Sequence, residues 1–404
     1  MYKALPVGFL ATSYLIIFNK KSRGEICFSI FVIICLNSGG FMDKVFSGEI
    51  TLLKALAIML VVSGHLEFSM FGMFPPYSFQ LALFFFISGM LFKDKYLDDV
   101  ANYFMRRIKS LLVPYFAYET VYLLITFAMV PVIGEFFGAE PSLKNFFISP
   151  FTNGHQLSFI APMWFVTQLF ITMIVFLFLM RVMRPIKNKW VHLAFYVFLG
   201  FTAIPIWKAS PHHYPITLLA MRTSFSLFFV YLGYFYVKYI KDNINIFTPK
   251  WLGGIILFQS ILWLFNRDYN PEHGIGLSYV LVNGRFDDQI IVPVLTAITG
   301  IWISLYAVKV LYPYLKDVKF LQQMGKVTYH IMANHVFVMY VITLILFHIT
   351  GTPLSAKGDK IYAIYNPVQT TYLYFVVVML ITTYFGVFQQ FAWKKIKEKI
   401  FHLP

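Results

Sequence analysis

The sequence predicts an all-α integral membrane protein, a bundle of about ten transmembrane helices with both ends of the core in the cytoplasm. Of its 404 residues, 59% are hydrophobic and only 13% are charged, whereas a soluble protein carries about 25% charged residues. Apolar runs long enough to cross a bilayer recur along the chain. Lysines and arginines collect in alternate loops, which is the positive-inside pattern of a polytopic membrane protein.

Ten spans are predicted after residue 50. Basic residues gather after the second, fourth, sixth and eighth spans and at the C-terminus, which assigns those loops to the cytoplasm. The opposite loops hold fewer basic residues, among them Lys144, Lys208 and Arg222. The spans are predicted at about 52–70, 74–92, 111–133, 161–183, 190–207, 215–237, 251–265, 290–312, 327–349 and 368–393.

The predicted domain organisation has three parts. Residues 1–45 are an N-terminal extension, residues 46–396 form the transmembrane domain, and residues 397–404 are a short cytoplasmic tail. The extension is interpreted as a hydrophobic hairpin or as a start-site artefact with Met42 as the true start, and a cleaved signal peptide is a third alternative.

The loop after the second predicted span has its own pattern. Apolar residues keep helical spacing from Leu97 to Leu111, with polar residues largely on the other side, which predicts an amphipathic helix lying on the cytoplasmic surface. Pro114 then marks the entry into the third span.

Composition also excludes several classes of function. The net charge of +15 would suggest nucleic-acid binding in a soluble protein, but here it follows the membrane topology, so no nucleic-acid partner is expected. The two cysteines, Cys27 and Cys35, lie in the N-terminal region, which excludes thiol catalysis and a disulfide framework in the main body. No metal-ligand pattern is present, and we expect no metal site.

Two ionisable residues stand out in the first predicted span, Lys54 and His65. Such groups are costly in a bilayer, so each is a functional-site hypothesis. Eleven residues of helix separate them by roughly 16 Å. His65 can accept a proton near neutral pH and so suits a general base, although a histidine bonded to a neighbouring helix is the structural alternative. Glu67, two residues on, faces another side of the helix and is expected at the interface, with a role as the orienting partner of His65 as the alternative.

Two later spans also carry ionisable groups. Glu119 is a carboxylate well inside the third predicted span, where pairing with Lys54 or His335 is possible. The ninth span partly mirrors the first, because Lys326 lies at its cytoplasmic end and His335 lies about nine residues deeper.

Lys54, His65 and His335 belong to a set of five motifs. The motifs are Lys54-x10-His65, Leu83-Phe-Phe-Phe-Ile-Ser88-Gly89, Arg106-x-x-Lys109-x4-Pro114-Tyr115, Pro162-Met-Trp164-Phe165, and Gly325-Lys326-Val-Thr328-Tyr329 with His335. In this order the set resembles the acyltransferase-3 family of bacterial membrane acyltransferases over roughly residues 46–393. Two departures are visible: Lys109 stands where the family usually has a second arginine, and Met332-Ala333 replace a Tyr-Leu pair.

The resemblance implies a multi-pass protein of the bacterial inner membrane that moves an acyl group, usually acetyl, from cytoplasmic acyl-CoA to a hydroxyl of a cell-surface or periplasmic glycan. The expected partners are acyl-CoA as donor substrate, a glycan or lipid-linked sugar acceptor, membrane lipids and possible glycan-assembly proteins, with no permanently bound cofactor. His65 would act as base or acyl carrier. The predicted catalytic residues are His65, Lys54, Glu119 and His335. The residues predicted to bind acyl-CoA are Arg106, Arg107, Lys109 and Ser88.

The same residues also allow other roles, and the sequence alone does not exclude them. Arg106, Arg107 and Lys109 also fit ordinary topology signals and lipid headgroup contacts, and Ser88 with Gly89 also fits helix packing. Trp164 is expected to be an interfacial aromatic residue. A polysaccharide or lipid-linked sugar transporter would explain the spans and buried charges equally well, and a structural subunit of a glycan-assembly complex is a third possibility.

Overall fold

The computed structural model describes residues 45–134, 136–154, 157–210, 212, 214–266, 276–286, 291–353, 361 and 363–401. Apart from residue 45, the predicted N-terminal extension lies outside these residues, as do residues 402–404 of the predicted tail. The chain divides into two compact units, Met1–Glu49 and Ile50–Pro404, and the second unit holds the helical bundle.

The described chain is an all-α membrane bundle, which confirms the predicted fold class. Its one described sheet is a hairpin of β1 (Tyr279–Val280) and β2 (Arg285–Phe286), in which Tyr279 pairs with Phe286. The first helix is α1 (Val45–His65). The other helices are α2 (Gln80–Met90), α3 (Val100–Arg107), α4 (Val113–Ile133), α5 (Leu143–Phe147), α6 (Ser149–Thr152), α7 (Trp164–Val182), α8 (Lys189–Ala209), α9 (Pro215–Phe235), α10 (Pro249–Asn266), α11 (Ile291–Leu315), α12 (Lys319–Lys326), α13 (Thr328–Ile349) and α14 (Pro367–Phe401).

Each predicted span contains a helix, but among the described residues only eight helices are long and apolar enough to cross a membrane. The two that fall short are α2 and α10. With 11 residues, α2 measures roughly 17 Å, about half of a bilayer core. It starts late because Pro75, Pro76 and Tyr77, whose φ is +63°, keep the preceding segment non-helical. α10 has 18 residues but is less apolar than the eight.

The first helix is displaced from its predicted position. Within the described residues it runs from Val45 to its end at His65, whereas the sequence predicted a span over 52–70. The end is fixed by the backbone of Glu67, whose φ of +57° is incompatible with a continued right-handed helix. His65 is therefore the last residue of α1, next to an irregular loop, and not a residue within a longer helix.

The predicted amphipathic helix after the second span is present as α3, but it is not a separate element. A 3₁₀ turn covers Asp94–Leu97, and α3 then continues through a π-helical turn at Ile108–Leu112 into α4. Pro114 does not break this helix. The wide π turn that precedes it shifts the backbone hydrogen-bond register, so the missing N–H of proline is tolerated.

α2 and α9 cross at two glycines. A Cβ on Gly89 would lie 1.9 Å from the Val230 carbonyl oxygen, and a Cβ on Gly233 would lie 1.9 Å from the Phe86 carbonyl oxygen. Backbone therefore meets backbone on both sides of the crossing, as small residues permit in membrane bundles. The crossing holds the short α2 against α9, which also packs on α7 and α8.

A third glycine joins α12 to α1. A Cβ on Gly325 would lie 2.0 Å from the Thr51 carbonyl oxygen, so no larger residue fits there without movement. α12 occupies the turn between α11 and α13, which the sequence predicts to be cytoplasmic. The contact thus ties that turn to α1 less than one helical turn from Lys54.

A polar network connects α4, α13 and α14. The Tyr118 hydroxyl lies 2.7 Å from His330 Nδ1 and donates to Gln389 Oε1 at 2.8 Å. Asn334 Nδ2 donates to the same Gln389 oxygen at 2.9 Å, and Tyr122 donates to Asn334 Oδ1 at 2.9 Å. Because polar groups inside a bilayer bond to one another, this network fixes the depth and rotation of α13, the helix that carries His335.

Basic residues also hold the segment before α3. Lys238 Nζ lies 2.7 Å from Asp94 Oδ2, and Arg184 Nη1 lies 2.6 Å from Asp98 Oδ1. Arg181 Nη1 donates to the Leu97 carbonyl at 2.5 Å. Burial raises the pKa of Asp94, but hydrogen bonds from Lys238 and Tyr234 outweigh it and hold the pKa below its usual value. The basic residues of the predicted cytoplasmic loops therefore also hold the segment before α3 in place.

Substitution of Gly89 by alanine is expected to lower the stability of the bundle. The added methyl would overlap the Val230 carbonyl, and overpacking of this kind costs about 1–3 kcal/mol or more. Thermal unfolding of the purified protein in detergent measures the change. The matched control is Gly253→Ala in α10, where a Cβ meets nothing within 4 Å. Equal melting temperatures for the two variants would contradict the tight crossing.

Candidate active site

Two histidines from different helices meet in the bundle. His65 ends α1 and His335 lies on α13, fully buried. The distance between His335 Nε2 and His65 Nδ1 is 3.4 Å, and the two rings are 4.9 Å apart in an edge-to-face arrangement. The structure therefore brings together two of the four residues that the sequence predicted to be catalytic.

Backbone carbonyls fix the tautomers of this pair. His65 Nδ1 lies 2.9 Å from the Val61 carbonyl, and His335 Nδ1 lies 3.0 Å from the Ile331 carbonyl. A carbonyl oxygen can only accept, so both Nδ1 atoms carry hydrogen in the neutral rings. The single hydrogen on His65 Nδ1 is then shared between the Val61 carbonyl and the lone pair of His335 Nε2, and the lone pair of His65 is on Nε2. That nitrogen is the basic atom of the pair.

His65 lies in the wall of a cavity of about 320 Å³. This volume is at the lower end of the range for small-molecule sites, about 300–1,000 Å³. The cavity lies where α1 ends and α2 begins, and most of its walls are apolar. The residues that line it include His65, Glu67, Tyr77, Gln80, Trp164 and Met332, with Val280–Val282 from the hairpin.

The loop between α1 and α2 is strained where it lines this cavity. Glu67 and Tyr77 have φ values of +57° and +63°, and Asn366 is the third non-glycine residue with positive φ among those described. Such strain persists only where the surroundings impose it, and it clusters at functional sites. Here Tyr279 N donates to the Tyr77 carbonyl at 3.1 Å and Ser278 Oγ donates to the Pro76 carbonyl at 2.6 Å.

Tyr77 places a hydroxyl-bearing ring beside His65. The two ring centroids are 5.9 Å apart in an edge-to-face arrangement. Burial, and then the negative charge of Glu67, raise the pKa of Tyr77 to about 12, so its hydroxyl stays protonated at neutral pH. Glu67 itself is exposed at the cavity, and its carboxylate makes no hydrogen bond with the described residues. It does not orient His65, which bonds to Val61 and faces His335.

Arg222 supports the part of the cavity wall that contains Trp164 and the hairpin residues. The sequence grouped Arg222 with the outer loops, but it lies within α9 and is 1% exposed. Its guanidinium donates to the carbonyls of Leu281 and Val282 and to those of Thr152 and Asn153. It also stacks over Trp164, 5.4 Å from the ring centroid. Arg222 thus fixes the hairpin residues that line the cavity, and Trp164 is a wall residue and not an interfacial one.

Lys54 lies on the same helix as His65, roughly 16 Å away along the axis. α1 is described from Val45 onwards, and Lys54 lies within this helix, nine residues after Val45. The turn that the sequence predicts to be cytoplasmic lies close to it, because α12 packs on α1 at Thr51. Lys54 is half-buried and has no hydrogen bond or ion pair with the described residues. It remains available to a negatively charged substrate group.

Glu119 is placed apart from the two histidines. It is 2% exposed on α4, shares a hydrogen bond with Tyr115 one turn earlier, and its Oε2 has no partner among the described residues. It does not line the cavity with His65. The pairing with Lys54 or His335 considered from the sequence is not formed.

The residues predicted to bind acyl-CoA differ in how exposed their side chains are. Arg106 and Lys109 are exposed, and neither forms an ion pair with a described carboxylate. Arg107 is half-buried over the Tyr103 ring, 4.9 Å from its centroid. Ser88 donates to the Phe84 carbonyl in its own helix at 2.9 Å and does not line the cavity, which fits the packing role considered for it.

Sequence reasoning missed Gln80, Tyr77 and Arg222 as site residues. Gln80 carried a usable signal, since it is a polar side chain just before the apolar run Leu81–Ile87 of a predicted span. Tyr77 and Arg222 carried none, because one is an aromatic residue in a loop and the other a basic residue that the topology already explained.

Comparison with known proteins identifies the family. A family model described as "Acyltransferase domain", that of the acyltransferase-3 family, matches residues 47–388. The match includes every element that builds the cavity and both histidines. Comparisons with curated proteins and with solved structures gave no match. The match covers most of the 404 residues, and we conclude that the chain belongs to the acyltransferase-3 family and is a multi-pass membrane acyltransferase.

Proposed function

We propose that this protein is an O-acetyltransferase of the bacterial inner membrane. It moves an acetyl group from cytoplasmic acetyl-CoA to a hydroxyl of a cell-surface or periplasmic glycan or lipid-linked sugar. The observation that carries the proposal is His65 in the cavity wall, with its Nδ1–H held by Val61 and facing His335. Membership of an acyltransferase family favours this function over the transporter and the structural subunit.

The reaction follows from the tautomer of His65. Its Nε2 accepts the proton of the acceptor hydroxyl while the hydroxyl oxygen attacks the thioester carbonyl carbon. The carbonyl π electrons move to oxygen and return as the C–S bond breaks. The leaving thiolate takes the proton from the His65 imidazolium, so the products are the acetyl ester and free CoA. An acetyl adduct on His65 itself, detected by mass spectrometry, would replace this route by nucleophilic catalysis.

The basic residues on the other side supply the donor site. Arg106 and Lys109 have exposed cationic groups that can bind the phosphates of CoA. Lys54 lies between that surface and His65 and binds a further negative or carbonyl group of the donor. The acceptor enters at the opposite end, where Glu67 and Tyr77 offer an acceptor and a donor of hydrogen bonds to sugar hydroxyls.

His65→Ala is expected to abolish acetyl transfer. A general base contributes about 10²–10⁴-fold to the rate, so purified variant protein should lose at least 100-fold in CoA release with glycan from a deletion strain as acceptor. The matched control is His192→Ala, which removes a buried histidine of α8 that bonds the Ile186 carbonyl outside the cavity. Full acetylation by folded His65→Ala protein would refute the mechanism.

His335 is expected to act as a positioning residue. His335→Leu removes the lone pair that faces His65 Nδ1–H, so kcat should fall about tenfold while KM for acetyl-CoA is unchanged. His335→Gln keeps a side-chain oxygen that can accept from His65, and it should restore part of kcat. Equal kcat values for the two variants would assign His335 a packing role only.

The double variant Arg106→Ala, Lys109→Ala is expected to raise KM for acetyl-CoA at least tenfold with little change in kcat. Hydrogen bonds between charged groups are worth about 1.5–3 kcal/mol each, and the wild-type KM should rise with salt. Lys316→Ala, Lys319→Ala is the control, because it removes two exposed lysines elsewhere in the predicted cytoplasmic loops. If both double variants behave alike, the charges act in topology and not in donor binding.

A further inference from the structure

Gln80 is a buried amide in the wall of the His65 cavity. It is the first residue of α2, is only 4% exposed, and lines the cavity with His65, Tyr77 and Trp164. No sequence motif points to it, and no step of the mechanism above uses it. Buried amides are normally fully hydrogen-bonded, so its bonding pattern decides what it does.

The orientation of this amide follows from its backbone partner. The N–H of Phe79 donates to Gln80 Oε1 at 3.1 Å. A backbone N–H can only donate, so the side-chain atom that faces it must be the oxygen, and the NH₂ group must point the other way. Nε2 has no hydrogen-bond partner among the described residues. Two hydrogen-bond donors therefore face the cavity.

Gly64 places these donors next to the basic residue. A Cβ on Gly64 would lie 3.0 Å from Gln80 Nε2, so the glycine beside His65 leaves the space that the amide fills. The first turn of α2 also meets the cavity here, without a side-chain cap at Phe79. Uncapped N–H groups and the helix dipole favour negative charge at this end. The amide group of Gln80 and the N-terminus of α2 therefore both favour negative charge in this part of the cavity.

The other buried glutamines show what a packing amide looks like. Gln259 donates from Nε2 to the Met73 carbonyl at 3.0 Å and accepts from Thr299 at 2.6 Å, so both ends are bonded within the protein. Gln168 donates from Nε2 to two threonine hydroxyls, and its Oε1 has no partner among the described residues. Gln80 differs because its nitrogen is directed to a cavity and not to a neighbouring helix.

We infer that Gln80 is a further catalytic residue, which donates from Nε2 to the acetyl carbonyl oxygen as it becomes an oxyanion. When the acceptor oxygen attacks the carbonyl carbon, the π pair moves to this oxygen and Gln80 stabilises the charge. The charge leaves the oxygen when the C–S bond breaks and the thiolate takes the proton from His65. The inference rests on the proposed function, and it assigns the amide to the transition state and not to substrate binding.

Gln80→Glu is the sharpest test, because it keeps the oxygen that accepts from Phe79 and replaces only the donor. Loss of one oxyanion donor costs about 10²–10³-fold in kcat. We expect a loss of that size with KM for acetyl-CoA within about twofold, using glycan from a deletion strain as acceptor. A carboxyl group regains a donor when it is protonated, so the ratio of variant to wild-type kcat should rise as the pH falls.

Two further variants separate catalysis from folding. Gln80→Met has no donor at any pH, so its kcat should be low and its ratio to wild type should not change with pH. Gln259→Glu buries a carboxyl outside the cavity and should keep the wild-type kcat per folded protein. Wild-type kcat for either Gln80 variant, or a raised KM at constant kcat, would overturn the role of Gln80 and leave the proposed function standing. Wild-type protein that transfers no acetyl group would overturn the proposed function with it.

Discussion

Backbone carbonyls inside the bundle determine how this site is built. Within a bilayer a polar side chain cannot turn to water, so it bonds to the protein. His65 and His335 each donate to a carbonyl one turn earlier in their own helix, and Arg222 donates to carbonyls of two loops. The tautomers of the pair and the position of the hairpin both follow from these bonds. The cavity is therefore shaped by main-chain acceptors more than by ion pairs.

Close backbone contacts then place these side chains relative to one another. Gly89 and Gly233 let α2 approach α9, and Gly325 lets α12 approach α1. Because α2 is held at this depth, its first turn and Gln80 reach the end of α1, where His65 lies. The strained residues Glu67 and Tyr77 connect the two helices across a short loop. The strained loop between α1 and α2 and the close crossing of α2 with α9 together hold Gln80 beside His65.

Much of this was predictable from the residue pattern. The membrane fold followed from hydropathy and loop charges, and His65 followed from the cost of an ionisable group in a span. His335 followed from the partial mirror of the first span in the ninth. The errors have local causes: the left-handed backbone at Glu67 ends α1 at His65, and the π turn before Pro114 joins a predicted surface helix to the next span. Neither backbone feature has a side-chain signature.

The sequence by itself determined the class of protein and the family and singled out His65, because composition, topology charges and short motifs are properties of a linear chain. Only the tertiary structure showed which residues lie next to His65. His335 lies 270 residues away in the chain, and Gln80 meets Gly64 through the crossing of separate helices. It also showed that Glu119 lies outside the cavity. Such distances depend on how helices pack, and although a glycine such as Gly89 is visible in the sequence, the backbone that it meets on another helix is not.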